Sequence, residues 1–154
     1  MIRKAVGAIV YQGTEILLVY KVKRSLLKDE DQHYLGKWDF PKGGVENGDQ
    51  TIENSILREL KEETGSTQYE VINQLDEKIR FSFNKDFTNK TGFTEQETTM
   101  FLVKYVGDRS DLVPNDNEIK EIKFVPVDEA GDILTHEETK KLFECQVLKQ
   151  FKHN

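Results

Sequence analysis

"GGVENGDQTIENSILRELKEETG", residues 43–65, opens on two glycines, closes on a fourth and fills its second half with acids set among aliphatic residues. Ile52, Ile56 and Leu60 recur every four residues with Leu57 beside them, which predicts a helix with one buried stripe. Glu59, Glu62 and Glu63 stand at i, i+3 and i+4, so their carboxylates gather on one side of that helix, away from the stripe and on an exposed face. Like charges at this spacing cost a helix a few tenths of a kcal/mol per pair. Acids in the last turn also oppose the helix dipole. A divalent cation would offset both penalties, and Mg²⁺ and Mn²⁺ take oxygen ligands. The plainer reading is a solvated helix whose charges are screened by Arg58, Lys61 and water. Gly48 and Asp49 suit a turn before the helix, Asp49 or Thr51 an N-cap, and Gly65 the position just past the C-terminus. At Gly43 and Gly44 a ligand can approach the backbone closely.

The rest of the chain bounds what such a segment can belong to. With 154 residues, a single domain over 1–154 is expected, with one main site. Hydrophobic residues at 36% and fifteen aromatics (Trp 1, Tyr 5, Phe 9) describe a globular chain, and no apolar run is long enough to span a membrane. Cys145 is the only cysteine, which excludes an internal disulfide and a cysteine-based zinc site and fits a cytoplasmic setting. The net charge of -6 argues against broad binding to a nucleic-acid backbone, and a phosphate ligand would need a cation to help.

"AVGAIVYQGTEILLVYKV" reads as two strands around a turn at Gln12, Gly13 and Thr14, paired as a hairpin or simply adjacent. Lys21 to Gly36 is a polar, unperiodic loop of the length that often carries function. "KWDFPKGG" is a short extended piece. "YEVINQLDEKIRFSF" suits one long strand or two, "NKDFTNKTGFTEQ" a polar loop, and "TTMFLVKYVG" and "EIKFVPV" further strands. In "HEETKKLFECQVLKQF", Leu142, Cys145, Leu148 and Phe151 mark an amphipathic helix. Strands around two helices imply an α+β or α/β/α sandwich domain with a mixed sheet.

Residues 43–65 resemble the Nudix box: Gly, five residues, Glu, seven residues, Arg-Glu, a hydrophobic residue, any residue, Glu-Glu, any residue, Gly and a hydrophobic residue. Arg58-Glu59-Leu60-Lys61-Glu62-Glu63-Thr64-Gly65 fits that pattern throughout. Counting back from Arg58 puts the first glycine on Gly44 and the first acid on Gln50, with Asp49 one step away, and Ser66 stands where the pattern ends on a hydrophobic residue. Asp49 is taken as the counterpart of that acid, with one extra residue before the helix, so a shifted partner for Arg58 is expected. The resemblance implies a Nudix fold with a loop-helix-loop metal site that binds Mg²⁺ or Mn²⁺. It implies Glu62 and Glu63 as main ligands, Glu59 as ligand or water-orienting base, Gly43 or Gly44 as a carbonyl ligand, and Arg58 as the group that orients the carboxylates. Glu118 is a candidate catalytic or metal-binding acid outside the box, and Glu97 a weaker one. His33 and His136 are given no role.

Across most of the chain the frame looks like that of the asymmetrical diadenosine tetraphosphate hydrolases, which implies a small-molecule nucleoside polyphosphate, cleaved to ATP and AMP. Lys21, Lys23, Arg24 and Lys42 are candidate phosphate contacts, and Phe81, Phe83 or Tyr105 candidate adenine-stacking residues. The alternative is an RNA 5′-pyrophosphohydrolase, which shares the Trp-x-Phe-Pro-x-Gly-Gly entry seen from Trp38 to Gly44 and against which the negative charge counts. A damaged-nucleotide pyrophosphatase is another. A nucleotide-sensing domain that cleaves nothing typically lacks box glutamates, and Glu59, Glu62 and Glu63 are all present.

Overall fold

The computed structural model describes residues 1–22 and 36–151. Alternating Val, Ile and Leu build the first hairpin. β1 (Ile2–Gln12) turns at Gly13, whose φ of 61° favours a residue without Cβ, into antiparallel β2 (Glu15–Lys21). Two short strands follow, β3 (Lys37–Asp39) on β2 and β4 (Lys42–Gly44) on β1. After helix α1 (Ile52–Thr64), the long β5 (Tyr69–Ser82) pairs antiparallel with β6 (Glu95–Tyr105), with two irregularities in its register. β6 lies parallel to β1 over nearly its full length, and β7 (Ile119–Pro126) pairs with β2. The sheet is therefore mixed, in the order β3-β2-β1-β6-β5 with β4 against β1 and β7 against β2.

Strand alternation sorts the core into two layers. Val6, Ala8 and Val10 of β1 join Ile56 and Leu60 of α1 on one face. Ile9 joins the other face with residues of α3 (Val127–Ile133) and α4 (Glu137–Gln146), and α5 (Leu148–Phe151) packs at its border. This is the expected α+β sandwich, with a mixed sheet between helices.

Three local expectations are corrected. The segment expected to be a polar loop holds a short helix, α2 (Lys85–Thr91), capped by Asn84 and by Gly92 at φ 83°, so five helices are described instead of two. In the C-terminal segment, the buried stripe of α4 runs through Thr139, Leu142 and Phe143, which leaves Cys145 exposed, and the helix ends at Val147, so Leu148 and Phe151 belong to the separate α5. On α1 the buried face is turned from the expected stripe: Ser55, Ile56, Glu59, Leu60, Glu63 and Thr64 are inside, while Ile52 and Leu57 are exposed. A glycine opposite the helix explains that rotation. A Cβ at Gly43 would overlap the Glu59 carboxylate, so the bare backbone of β4 admits that side chain into the layer.

The ends of α1 follow its local chemistry. The Thr51 hydroxyl accepts a hydrogen bond from the Asn54 N–H at 3.0 Å, and Gly65, at φ 78°, donates to the Lys61 carbonyl at 2.9 Å. Gly65→Ala would force a Cβ into left-handed backbone and within 3.4 Å of the Asp111 and Val113 carbonyls. It is expected to cost roughly 1–2 kcal/mol, seen as a Tm lowered by a few degrees in a thermal melt. An unchanged melt would show that the helix can end without this conformation.

Candidate active site

Arg58 organises the box. Its Nε and Nη2 donate to the two oxygens of Asp49 at 2.9 Å each, a bidentate pair. Nη2 also reaches the Gly44 carbonyl at 2.8 Å, while Nη1 reaches Glu59 at 2.9 Å and Glu62 at 3.3 Å. All five guanidinium N–H groups thus have acceptors, and Glu46 adds an ion pair at 3.4 Å. Asp49, not Gln50, is the partner of Arg58. The Arg58 hydrogen bonds hold the Asp49 carboxyl far below the usual range, helped by the Glu46 N–H and the Ser55 hydroxyl.

The three box glutamates meet different surroundings. Glu59 and Glu63 are buried, against the exposed face expected from the sequence, and only Glu62 faces solvent. Burial pushes the Glu59 carboxyl up, and the Arg58 hydrogen bond partly opposes it. Glu63 is lifted to about 7, chiefly by burial and further by the charges of Glu59 and Asp116, while Lys21 pulls the other way. Lys21 Nζ lies 3.6 Å from Glu63 Oε2 and 3.5 Å from the Lys42 carbonyl. Glu63 Oε1 is buried with no hydrogen-bond partner. Among the described residues, no three acidic, His or Cys side chains form a ready-made metal cluster. A divalent cation nevertheless fits the donors: the unpartnered Oε1, a neighbouring buried carboxylate and a backbone strand stripped of side chains at Gly43 offer hard oxygen ligands.

The other expected residues are scattered. Glu118 sits in the turn before β7, where the Asp116 carboxylate accepts its N–H at 3.1 Å and its carbonyl accepts the Val22 N–H at 2.8 Å. Its neighbour Ile119 is the register partner of Lys21, so this turn lies at the same end of the sheet as Glu63. Asp116 was not singled out from the sequence. The signal available was its Asp-x-Glu spacing, which favours an Asx turn ahead of a strand. Lys42 is not a free surface cation: its ammonium bonds Thr139 at 3.0 Å and Asp39 at 3.1 Å, and burial lowers its pKa. Lys23, Arg24 and His33 lie outside the described residues, as does most of the Lys21 to Gly36 loop.

Phe83 packs against Phe87 with ring centroids 4.2 Å apart and edge-on to the exposed Phe81. Tyr105 is core, its hydroxyl bonded to Asp111 at 2.5 Å. Ser66, at the hydrophobic end of the box pattern, is buried because its hydroxyl donates to Asp111 at 2.6 Å. Glu97 is held by Lys4, Lys78 and Arg80 at 2.8, 3.2 and 2.8 Å, and hydrogen bonds from Lys4 and Lys78 lower its carboxyl to about 2. Those contacts occupy it with the chain's own cations and correct its candidacy as a metal ligand. His136 stands at the start of α4, its pKa lowered by burial.

The NUDIX domain family matches residues 1–146. An RNA pyrophosphohydrolase of a Nitratiruptor species is 36% identical over 91 residues, 58% of this chain and 58% of that protein, so the match spans little more than half of that relative. An RNA pyrophosphohydrolase of Campylobacter jejuni is 29% identical over 74% of this chain and 72% of its own length. Among solved structures, the MutT protein from Methanosarcina mazei Go1 superposes with a TM-score of 0.70 at 21% identity, covering 99% of this chain and 96% of that one, a likeness of fold.

Two outcomes test this geometry. The Glu63 carboxyl rises from an ordinary 4.5 to about 7 on folding. The folded state therefore holds a proton that the unfolded chain has lost, and stability falls as pH climbs through that window. Glu63→Gln does not titrate, so without metal its stability relative to the parent should rise by roughly 3 kcal/mol across those pH values and hold that advantage above them, read as a Tm gap that widens with pH and then stays constant. A pH-independent difference would contradict the burial argument. Asp49→Asn should loosen Arg58 and lower activity, whereas Gln50→Glu should change little. A large gain from Gln50→Glu in a turnover assay would restore the other register.

Proposed function

The chain belongs to the NUDIX family, and from that premise we propose that it is a metal-dependent pyrophosphohydrolase acting on the triphosphorylated 5′ end of RNA. The coarse part, hydrolysis at a phosphoanhydride bond of a nucleotide, follows from the family and from the box segment Arg58 to Gly65, which keeps all three glutamates. The finer part rests on one observation: relatives similar over 58% and 74% of this chain carry the name RNA pyrophosphohydrolase. This reverses the order reached from the sequence, which put diadenosine tetraphosphate first and RNA second.

Glu59, Glu62, Glu63 and the Gly43 carbonyl would hold Mg²⁺ or Mn²⁺. The Gly44 carbonyl is engaged by Arg58 and is the less apt of the two. Such a cation, when bound, offsets phosphate charge and makes water nucleophilic at neutral pH. The chain's own residues prepare that chemistry. Arg58 fixes the directions of Glu59 and Glu62 without touching substrate, and Lys21 lowers the cost of a charged Glu63. Glu118 supplies an acid in the turn before β7, at the end of the sheet where Lys21 meets Glu63. Lys42, bound to Asp39 and Thr139, anchors β4 to α4 and contributes its carbonyl side to the site.

The deciding experiment is chromatography of products after incubation with Mg²⁺ or Mn²⁺ and either 5′-triphosphorylated RNA or diadenosine tetraphosphate. Pyrophosphate and 5′-monophosphorylated RNA are expected. ATP plus AMP, with the RNA intact, would overturn the proposal in favour of the dinucleotide reading. Glu62→Gln and Glu63→Gln should each lower turnover by more than the roughly 10–100-fold typical of losing a supporting partner at a metal site, with folding retained.

A further inference from the structure

Lys4, Lys78 and Arg80 come from two strands, β1 and β5, and converge on one buried carboxylate of the strand between them. Lys4 and Arg80 are the register partners of Glu97, on either side of it, and Lys78 lies diagonally across, opposite Thr99. Glu97 Oε1 accepts from Lys4 at 2.8 Å and from Lys78 at 3.2 Å, and Oε2 pairs with Arg80 at 2.8 Å. Neutralising one carboxylate requires one cation, and three are present. Glu95, on the same face of β6 opposite Ile2 and Ser82, is the other acid of this stripe, so the patch keeps a net positive charge.

Two features separate this patch from a solvated run of lysines. First, its cations are anchored: Glu97 is only 6% exposed, while the side chains of Lys4 and Arg80 are 60% and 64% exposed. Each ammonium gives one of its three donors to Glu97, and Arg80 one of its five, leaving the rest directed at solvent. Much of the entropy cost of gathering the three heads is met when the sheet forms. Second, the patch borders the box on the same side of the sheet. By strand alternation Lys4 shares the face of β1 with Val6, whose partner Gly43 lies against Glu59. The Lys4 carbonyl accepts the Val45 N–H at 3.0 Å, next to Gly44, which Arg58 binds. From β1 across β6 to β5 the patch spans roughly 10 Å, two strand spacings.

We propose that Lys4, Lys78 and Arg80, anchored on Glu97, form a binding track for the phosphodiester backbone of single-stranded RNA just downstream of the 5′ end held at the box. The inference rests on the RNA reading above and adds to it a recognition surface outside the box. The track reads charge and not sequence, because it offers donors to phosphates and no base-reading groups. A substrate too short to reach β5 gains nothing from it.

The test compares the full chain with Lys4→Gln/Arg80→Gln on a long 5′-triphosphorylated RNA and on a 5′-triphosphorylated dinucleotide. For the long RNA, KM should rise about tenfold with kcat unchanged, and the slope of log(kcat/KM) against log salt should flatten by about 1 to 2. The dinucleotide should be cleaved as by the parent. Equal losses on both substrates, or none on either, would overturn the track and leave the three cations a purely structural role. If the double variant fails to fold, Lys78→Gln and the parent's own salt dependence decide. A parent slope no steeper for the long RNA than for the dinucleotide is negative. Fluorescence anisotropy with 5′-hydroxyl RNA separates this inference from the one beneath it. Binding that the variant loses supports the track even where no RNA is hydrolysed, whereas RNA hydrolysis with variant-insensitive binding refutes the track alone. Displacement by an acidic peptide but not by RNA would assign the patch to another class of partner.

Discussion

Everything at the candidate site depends on how one guanidinium is shared. Arg58 binds Asp49 through two parallel hydrogen bonds, the Gly44 carbonyl through a third, and Glu59 and Glu62 through its remaining N–H groups. Those acceptors belong to the loop before the helix, to strand β4 and to the helix itself. A lysine at this position has three donors on a point charge and could not hold a planar carboxylate, a backbone carbonyl and two further carboxylates in fixed directions. The interaction therefore sets the distance between β4 and α1, and with it the position of the glutamates over the glycine backbone.

That placement carries an energetic cost which explains the surrounding residues. Glu59 and Glu63 are buried acids whose pKa values rise because burial disfavours their charged forms. A helix face chosen for stability alone would put apolar side chains there, and Ile52 and Leu57 are instead left exposed. The Glu59 and Glu63 pair is offset only in part, by Arg58 on one side and Lys21 on the other. An unpartnered buried carboxylate oxygen is a rare feature in a folded protein, and Glu63 Oε1 is one, on the same helix face as Glu59, whose carboxylate lies against the bare backbone of Gly43.

Much of this was legible in the sequence because periodicity and spacing are local. The hairpin around Gly13, the helix between Thr51 and Gly65 and the pairing of Arg58 with Asp49 all follow from residues close in the chain. What was not legible depends on partners far away. Which face of α1 is buried is set by the missing side chain of Gly43 on a different strand. The role of Glu97 is set by Lys4 and Arg80, which reach it only through the parallel pairing of β1 with β6 and the antiparallel pairing of β5. Lys42 reads as an exposed cation beside a glycine pair, yet Thr139, nearly a hundred residues on, closes over it. The capped turn of α2 was hidden because it buries no residue and so leaves no apolar pattern.

The net charge, which counts against RNA in the sequence, carries little weight for a reason of scale. A net charge of -6 is a sum over the whole chain. At physiological ionic strength the field of an exposed charge fades over about 8 Å, so acids on distant surfaces contribute little where a phosphate arrives. The field there is set by side chains within that range, and on the face of β1, β6 and β5 nearest the box these are Lys4, Lys78 and Arg80 against Glu97 and Glu95. A chain can be acidic overall, which discourages indiscriminate binding to nucleic acid, and still present an ordered cationic surface one strand away from its carboxylates. In the proposed reading the two properties work together: the acidic remainder disfavours RNA elsewhere, and the anchored cations offer it a path to the box.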